Sequence, residues 1–148
     1  MPIISRRDTL LLGLAFTFAN YNLSEAFAND EAAAEIAKFT GGQRPEQGKI
    51  SLDLPDIAEN GNSVPLTVRA DSPMTASDYI TDVLVVADRN PRPIVAIFQF
   101  TPLAGRAEAA TRIRLAATQN IVAIAKTNTG ALFAGQKLVK VTIGGCGG

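Results

Sequence analysis

From residue 49 onward the apolar positions come in short runs separated by glycine, proline and asparagine, the pattern of antiparallel strands rather than of helices or alternating strand and helix. The runs predict seven strands, at 50–54, 64–70, 80–87, 93–100, 111–115, 121–126 and 131–143, the last bent near Gly135. Such an array closes into a sandwich or a barrel. Alternation is clearest in Thr111-Arg112-Ile113-Arg114-Leu115, where a period of two sends Ile113 and Leu115 to the core and both arginines to a solvated face. Glu59-Asn60-Gly61-Asn62 reads as a tight turn between the first two strands, and Asp88-Arg89-Asn90-Pro91 closes a later run. Pro55 and Pro65 place the first hairpin at a sheet edge or a bulge, because proline donates nothing to a ladder.

Ahead of the strands, residues 30–39 have an acidic first turn, a run of alanines, and Ile36 and Phe39 spaced to share a face. They predict a short helix within a segment 29–42 that stops at Gly41-Gly42, too poor in large apolar residues to stand without docking. Two runs, Val83-Leu84-Val85-Val86 and Ile94-Val95-Ala96-Ile97-Phe98, are apolar on both faces. A two-layer sandwich needs only one apolar face per sheet, so an outer face should be covered by that helix or by another subunit.

The first 28 residues belong to a different pattern. Ser5-Arg6-Arg7-Asp8 precedes an apolar stretch at 10–19, then a polar segment and Ala26-Phe27-Ala28, the layout of a cleavable export signal. The paired Arg6 and Arg7 point to the twin-arginine route, although Thr9 stands where that signal usually has phenylalanine. A membrane-spanning helix would need about 20 apolar residues, and this run ends at Asn20. Cleavage after Ala28 starts the mature chain at Asn29, with a body at 43–143 and a tail at 144–148. The whole chain has 14 basic and 14 acidic residues, and the segment removed carries two of each, so bulk charge attracts neither nucleic acid nor an anionic membrane.

Composition narrows the chemistry. The 148 residues contain no histidine, no tryptophan and one cysteine. Nucleophile systems built on histidine and the common histidine metal sites are therefore excluded, and one thiol supplies no metal cage. An exported chain with a single cysteine has no internal disulfide, so Cys146 either pairs outside the chain or reacts. The carboxylates Asp53, Asp56, Glu59, Asp71, Asp78, Asp82 and Asp88 sit at turns and strand ends without the spacing of an acid and base pair. The aromatic residues, scattered through the apolar runs, read as core. What remains is the tail: Gly144, Gly145, Cys146, Gly147 and Gly148 cannot hold regular structure and predict a flexible arm. Three residues beyond Ile143, the Cys146 Cα would reach roughly 10 Å from the body. With no lysine, arginine or helix N-terminus in the tail, and the terminal carboxylate two residues away, nothing local favours the thiolate. Activation would have to come from the proteins that receive the arm.

The paired-arginine signal, the alanine-rich helix, the strand-rich body and above all the terminal Gly-Gly-Cys-Gly-Gly resemble the SoxY family, sulfur carriers of the periplasmic thiosulfate-oxidising Sox system. The resemblance spans the whole chain. It implies an all-β fold, an immunoglobulin-like antiparallel β-sandwich of about seven strands with the short N-terminal helix and the flexible carrier arm. It implies a periplasmic protein that is no enzyme and has no cofactor of its own, with Cys146 as the point of covalent attachment. A haem-containing thiosulfate-coupling enzyme would join thiosulfate to that cysteine as an S-thiosulfonate. A sulfate-releasing hydrolase and, where present, a sulfane dehydrogenase would then act on the adduct, and a SoxZ-like subunit would form a heterodimer with the chain. Two other readings compete: an exported binding domain tethered by an intermolecular disulfide, and a redox enzyme, which would want a basic neighbour or a resolving cysteine that the sequence lacks.

Overall fold

The computed structural model describes residues 30–146, so Arg6, Arg7, the cleavage point after Ala28, and Gly147 and Gly148 lie outside the described residues. Helix α1 (Asp30–Thr40) precedes nine strands: β1 (Glu46–Gln47), β2 (Ile50–Asp53), β3 (Ile57–Asn60), β4 (Val64–Ala70), β5 (Ile80–Ala87), β6 (Ile94–Gln99), β7 (Ala107–Ile113), β8 (Gln119–Thr127) and β9 (Leu132–Ile143). The helix ends where the glycines require, the Gly42 amide donating back to the Ala37 carbonyl at 3.1 Å.

The strands form a two-sheet sandwich. One sheet has the order β1-β9-β8-β5-β6, with β3 also on β9, and the other has the order β2-β4-β7. Between them lies the main core, with Ile50, Leu66 and Val68 from the smaller sheet against Val83, Val85, Ile121, Ala123 and Val139 from the larger. Intervening residues of the larger sheet point outward, and α1 covers part of that face: Ala32 and Ile36 pack on Leu84, Val86, Val122, Ile124, Leu132 and Ala134. The doubly apolar run in β5 is thereby explained by the helix. The second such run is not covered, since on the edge strand β6 Ile97, opposite Leu84, is 55% exposed.

All seven expected strands are present, with three differences. Strands β1 and β3 of the larger sheet are additional, and both pair with β9 in parallel, so the sandwich is antiparallel except along that edge. The fifth expected strand is displaced toward the N-terminus, because Ala107-Glu108-Ala109-Ala110 is drawn into strand geometry by its register with β4, which runs from Ala70 opposite Ala107 to Val64 opposite Ile113. The first two expected strands do pair as β2 and β4, but no single turn joins them: the chain crosses to the larger sheet as β3 and returns. Glu59 and Asn60 therefore belong to β3, and the turn begins at Gly61. Pro65 fits the expected edge: β2 pairs with β4 only over Thr67–Ala70, leaving Pro65 with β7 on one side. Gly135, the expected bend, sits where a Cβ would lie 2.7 Å from the Ile50 carbonyl oxygen as the chain crosses from β1 to β2.

Asp88, read from sequence as a surface turn carboxylate, is buried, and accepts from the Asn120 amide at 3.0 Å and its side chain at 3.1 Å. Beside it the buried Asn90 donates to the Arg114 carbonyl at 2.8 Å and accepts from the Ala116 amide at 3.0 Å and the Gln119 side chain at 2.9 Å. This network locks the β5–β6 loop to the loop after β7. At the surface Arg69 of β4 pairs with Glu108 of β7 at 2.9 Å, and that hydrogen bond holds the Glu108 carboxyl below its usual range.

Three substitutions test this account. Leu66→Ala, at a site 1% exposed, should cost about 2–5 kcal/mol by chemical denaturation, whereas Leu103→Ala, at a site 97% exposed, should change stability by less than about 0.5 kcal/mol. Asn90→Ala removes no large apolar group, yet it should shift the urea midpoint by about 1–3 kcal/mol worth of stability, because it strands buried polar partners.

Candidate functional site

The last strand delivers the cysteine. β3 runs parallel to the end of β9, with Asn60 opposite Ile143, and the Gly61 amide donates to the Ile143 carbonyl at 2.7 Å. The Gly61 carbonyl in turn accepts from the Leu115 amide at 2.8 Å, and the Leu115 carbonyl accepts from the Gly145 amide at 2.8 Å. Three backbone bonds thus form a closed cycle through the tail, the turn after β3 and the loop after β7. Cys146 adds a fourth contact, its amide donating to the Asn62 side-chain oxygen at 3.1 Å.

The cycle requires close backbone approach. A Cβ on Gly61 would collide with the Leu115 carbonyl oxygen, and one on Gly144 with the Ala116 carbonyl oxygen. One on Gly145 would lie 2.6 Å from the Gly61 carbonyl carbon and 2.7 Å from the Asn62 amide nitrogen. These are backbone atoms, which do not swing aside as a flexible side chain would. Gly144 and Gly145 therefore fit a narrow slot here, where the sequence predicts an arm free from Gly144 onward.

Cys146 itself is exposed, and among the described residues its sulfur receives no hydrogen bond. The same residues contain no group of three or more His, Cys, Asp or Glu placed to hold a metal ion. Arg112 and Arg114 lie on the exposed face as expected, Arg112 turning back to donate to the Ser63 hydroxyl and, at 3.2 Å, to the Ser63 carbonyl. What the sequence did not single out is the receiving surface, Gly61, Asn62, Leu115 and Ala116. Its one visible trace was the turn signal Asn60-Gly61-Asn62.

Two hydrogen bonds hold the arm beyond Ile143, each worth net about 0.5–1.5 kcal/mol. Ordering each residue costs about 1–2 kcal/mol of backbone entropy.

Comparison with known proteins places the chain. The sequence model of the family "Sulfur oxidation protein SoxY" matches residues 36–146. Among solved structures, the sulfur carrier protein SoxY from Chlorobium limicola f thiosulfatophilum is 32% identical with a TM-score of 0.63, covering 77% of this chain and 98% of that one. Superoxide reductase (neelaredoxin) from Ignicoccus hospitalis is 17% identical with a TM-score of 0.57, covering 81% of this chain and 98% of that one, a likeness of fold alone. The comparison with curated proteins found no match. With a family model spanning from within α1 to the cysteine and a relative alike over nearly its whole length, the chain belongs to the SoxY family of sulfur oxidation proteins.

Proposed function

We propose that this protein carries sulfur intermediates of thiosulfate oxidation as covalent adducts on Cys146. The observation that carries the reading is the placement of the chain's one cysteine: exposed, just past the last strand, on a segment whose glycines leave it without flanking side chains. Attachment of thiosulfate forms a sulfur–sulfur bond between Cys146 and the outer sulfur, with loss of the thiol proton and of two electrons to a haem-containing partner. Attack of water on the sulfonate sulfur by a hydrolase then releases sulfate and leaves one sulfane sulfur on the cysteine. A sulfane dehydrogenase, where the cell has one, oxidises that sulfur with oxygen from water to a sulfonate, passing on six electrons, and a second hydrolysis then releases it as sulfate and returns the thiol.

The sequence has no histidine and no second cysteine, which supports a carrier acted on by others rather than an enzyme. A solved relative, SoxY from Chlorobium limicola f thiosulfatophilum, is a sulfur carrier protein. The paired Arg6 and Arg7, the apolar segment and the Ala28 site support export to the periplasm, and among the described residues no helix is long and apolar enough to cross a membrane. Ile94 and Ile97, left uncovered by α1, support a second subunit of the SoxZ kind.

Intact-mass spectra of protein taken from thiosulfate-fed cells, before and after a thiol reductant, test the reading. Reductant-labile additions of a thiosulfonate or of sulfur atoms should map to the C-terminal peptide. Cys146→Ser should abolish thiosulfate oxidation while changing stability by less than about 0.5 kcal/mol, since the residue is exposed beyond the last strand. A bare thiol, or a disulfide dimer alone, in such cells would favour the tethered binding domain instead.

A further inference from the structure

We propose that Asn62 is the positioning residue of the carrier thiol: with the Gly61 turn it forms a seat in which the arm docks, and from which Cys146 is released to reach a partner. The significance of release rests on the carrier reading. The seat itself is a property of this chain.

Three observations lead to it. The turn does not need the Asn62 side chain, because the Asn60 side chain already accepts from the Asn62 amide at 2.9 Å. The Asn62 oxygen is instead taken by the Cys146 amide, across 84 positions of sequence. Second, the slot is cut to backbone width: a Cβ on Gly145 would meet Gly61 and Asn62 backbone atoms at 2.6–2.7 Å. Flexibility would be served by glycine anywhere in the tail, whereas this contact demands it at 145. Third, the slot is rigid from behind. The Leu115–Ala116 wall is fixed by Asn90 and the turn by its bonds to Ile143 and Leu115, none of which involves the arm beyond Ile143. Undocking therefore breaks only the Gly145 and Cys146 bonds, with the pivot at Gly144.

Amide hydrogen exchange by NMR on the reduced mature chain tests the seat without thiosulfate or any partner. The Gly145 and Cys146 amides should be protected in the native protein. Asn62→Ala should abolish most of that protection, because loss of one hydrogen bond lowers the docking constant by about 3- to 10-fold, while the Gly61 and Leu115 amides keep theirs. Asn62→Asp retains an acceptor and should restore protection. It should also raise the pH midpoint for Cys146 alkylation by iodoacetamide, because a carboxylate beside the thiol disfavours the thiolate. In a Gly145→Ala background, where the slot no longer admits the arm, the same carboxylate should move that midpoint much less, and Asn62→Ala should have little further effect on exchange. Unprotected Gly145 and Cys146 amides in the native chain, or equal protection with and without the Asn62 side chain, would overturn the seat. Either result would leave the mass test of the carrier untouched, and absent adducts would leave the seat standing.

Discussion

β9 has two edges to satisfy, and most of the architecture follows from how they are filled. On one side β8 runs antiparallel to it from Leu132 to Val139. On the other it takes two short parallel strands, β1 at Phe133 and Ala134 and β3 from Lys140 to Ile143. Between β1 and β3, which follow one another along that edge, the chain leaves the sheet and runs as β2 of the opposite one. That excursion ties the two sheets together covalently. It also puts the end of β3 beside the end of β9, so the turn that starts the return to the smaller sheet lies against the point where the tail departs.

The elements that were legible in the sequence are those whose signal is local. β4, β5 and β8 carry their own apolar runs and appear where the pattern put them, and α1 has its acidic start, its Ile36 and Phe39 face and its glycine stop. β1, β3 and the first half of β7 have no such signal: Glu46-Gln47, Ile57-Ala58-Glu59-Asn60 and Ala107-Glu108-Ala109-Ala110 are strands because an edge of β9 or β4 awaits them. Strand preference is set by cross-strand neighbours as much as by the residue itself, and neighbours distant in sequence leave no periodic trace. The site divides in the same way. Cys146 and its glycines stand out because composition isolates them, whereas Asn62 and Leu115 are ordinary residues made relevant by the fold.

The burial of Asp88 and Asn90 follows the same logic. A turn tetrapeptide with aspartate and asparagine is exposed in most settings, but here it faces a second loop whose backbone groups have no ladder to join. Side-chain amides and a carboxylate satisfy them, and no buried side-chain nitrogen or oxygen among the described residues is left without a partner. The polar network is thus what allows the loop after β7 to stand still, and a loop that stands still is what allows its carbonyls at Leu115 and Ala116 to form one wall of the slot.

A carrier thiol faces opposing demands. Under the carrier role proposed for Cys146, the thiol must enter the active sites of several partners, which favours a thin arm with reach, and it must be presented from a defined place between visits, which favours a dock. A strong dock would satisfy the second demand and defeat the first. Two hydrogen bonds on a backbone-wide slot resolve the conflict: they bring the cysteine back to a defined place, and a partner that binds the extended arm need supply only a small difference in affinity to draw it out. The glycines then serve both states, slender enough to enter another protein's pocket and bare enough to lie against Gly61 and Asn62.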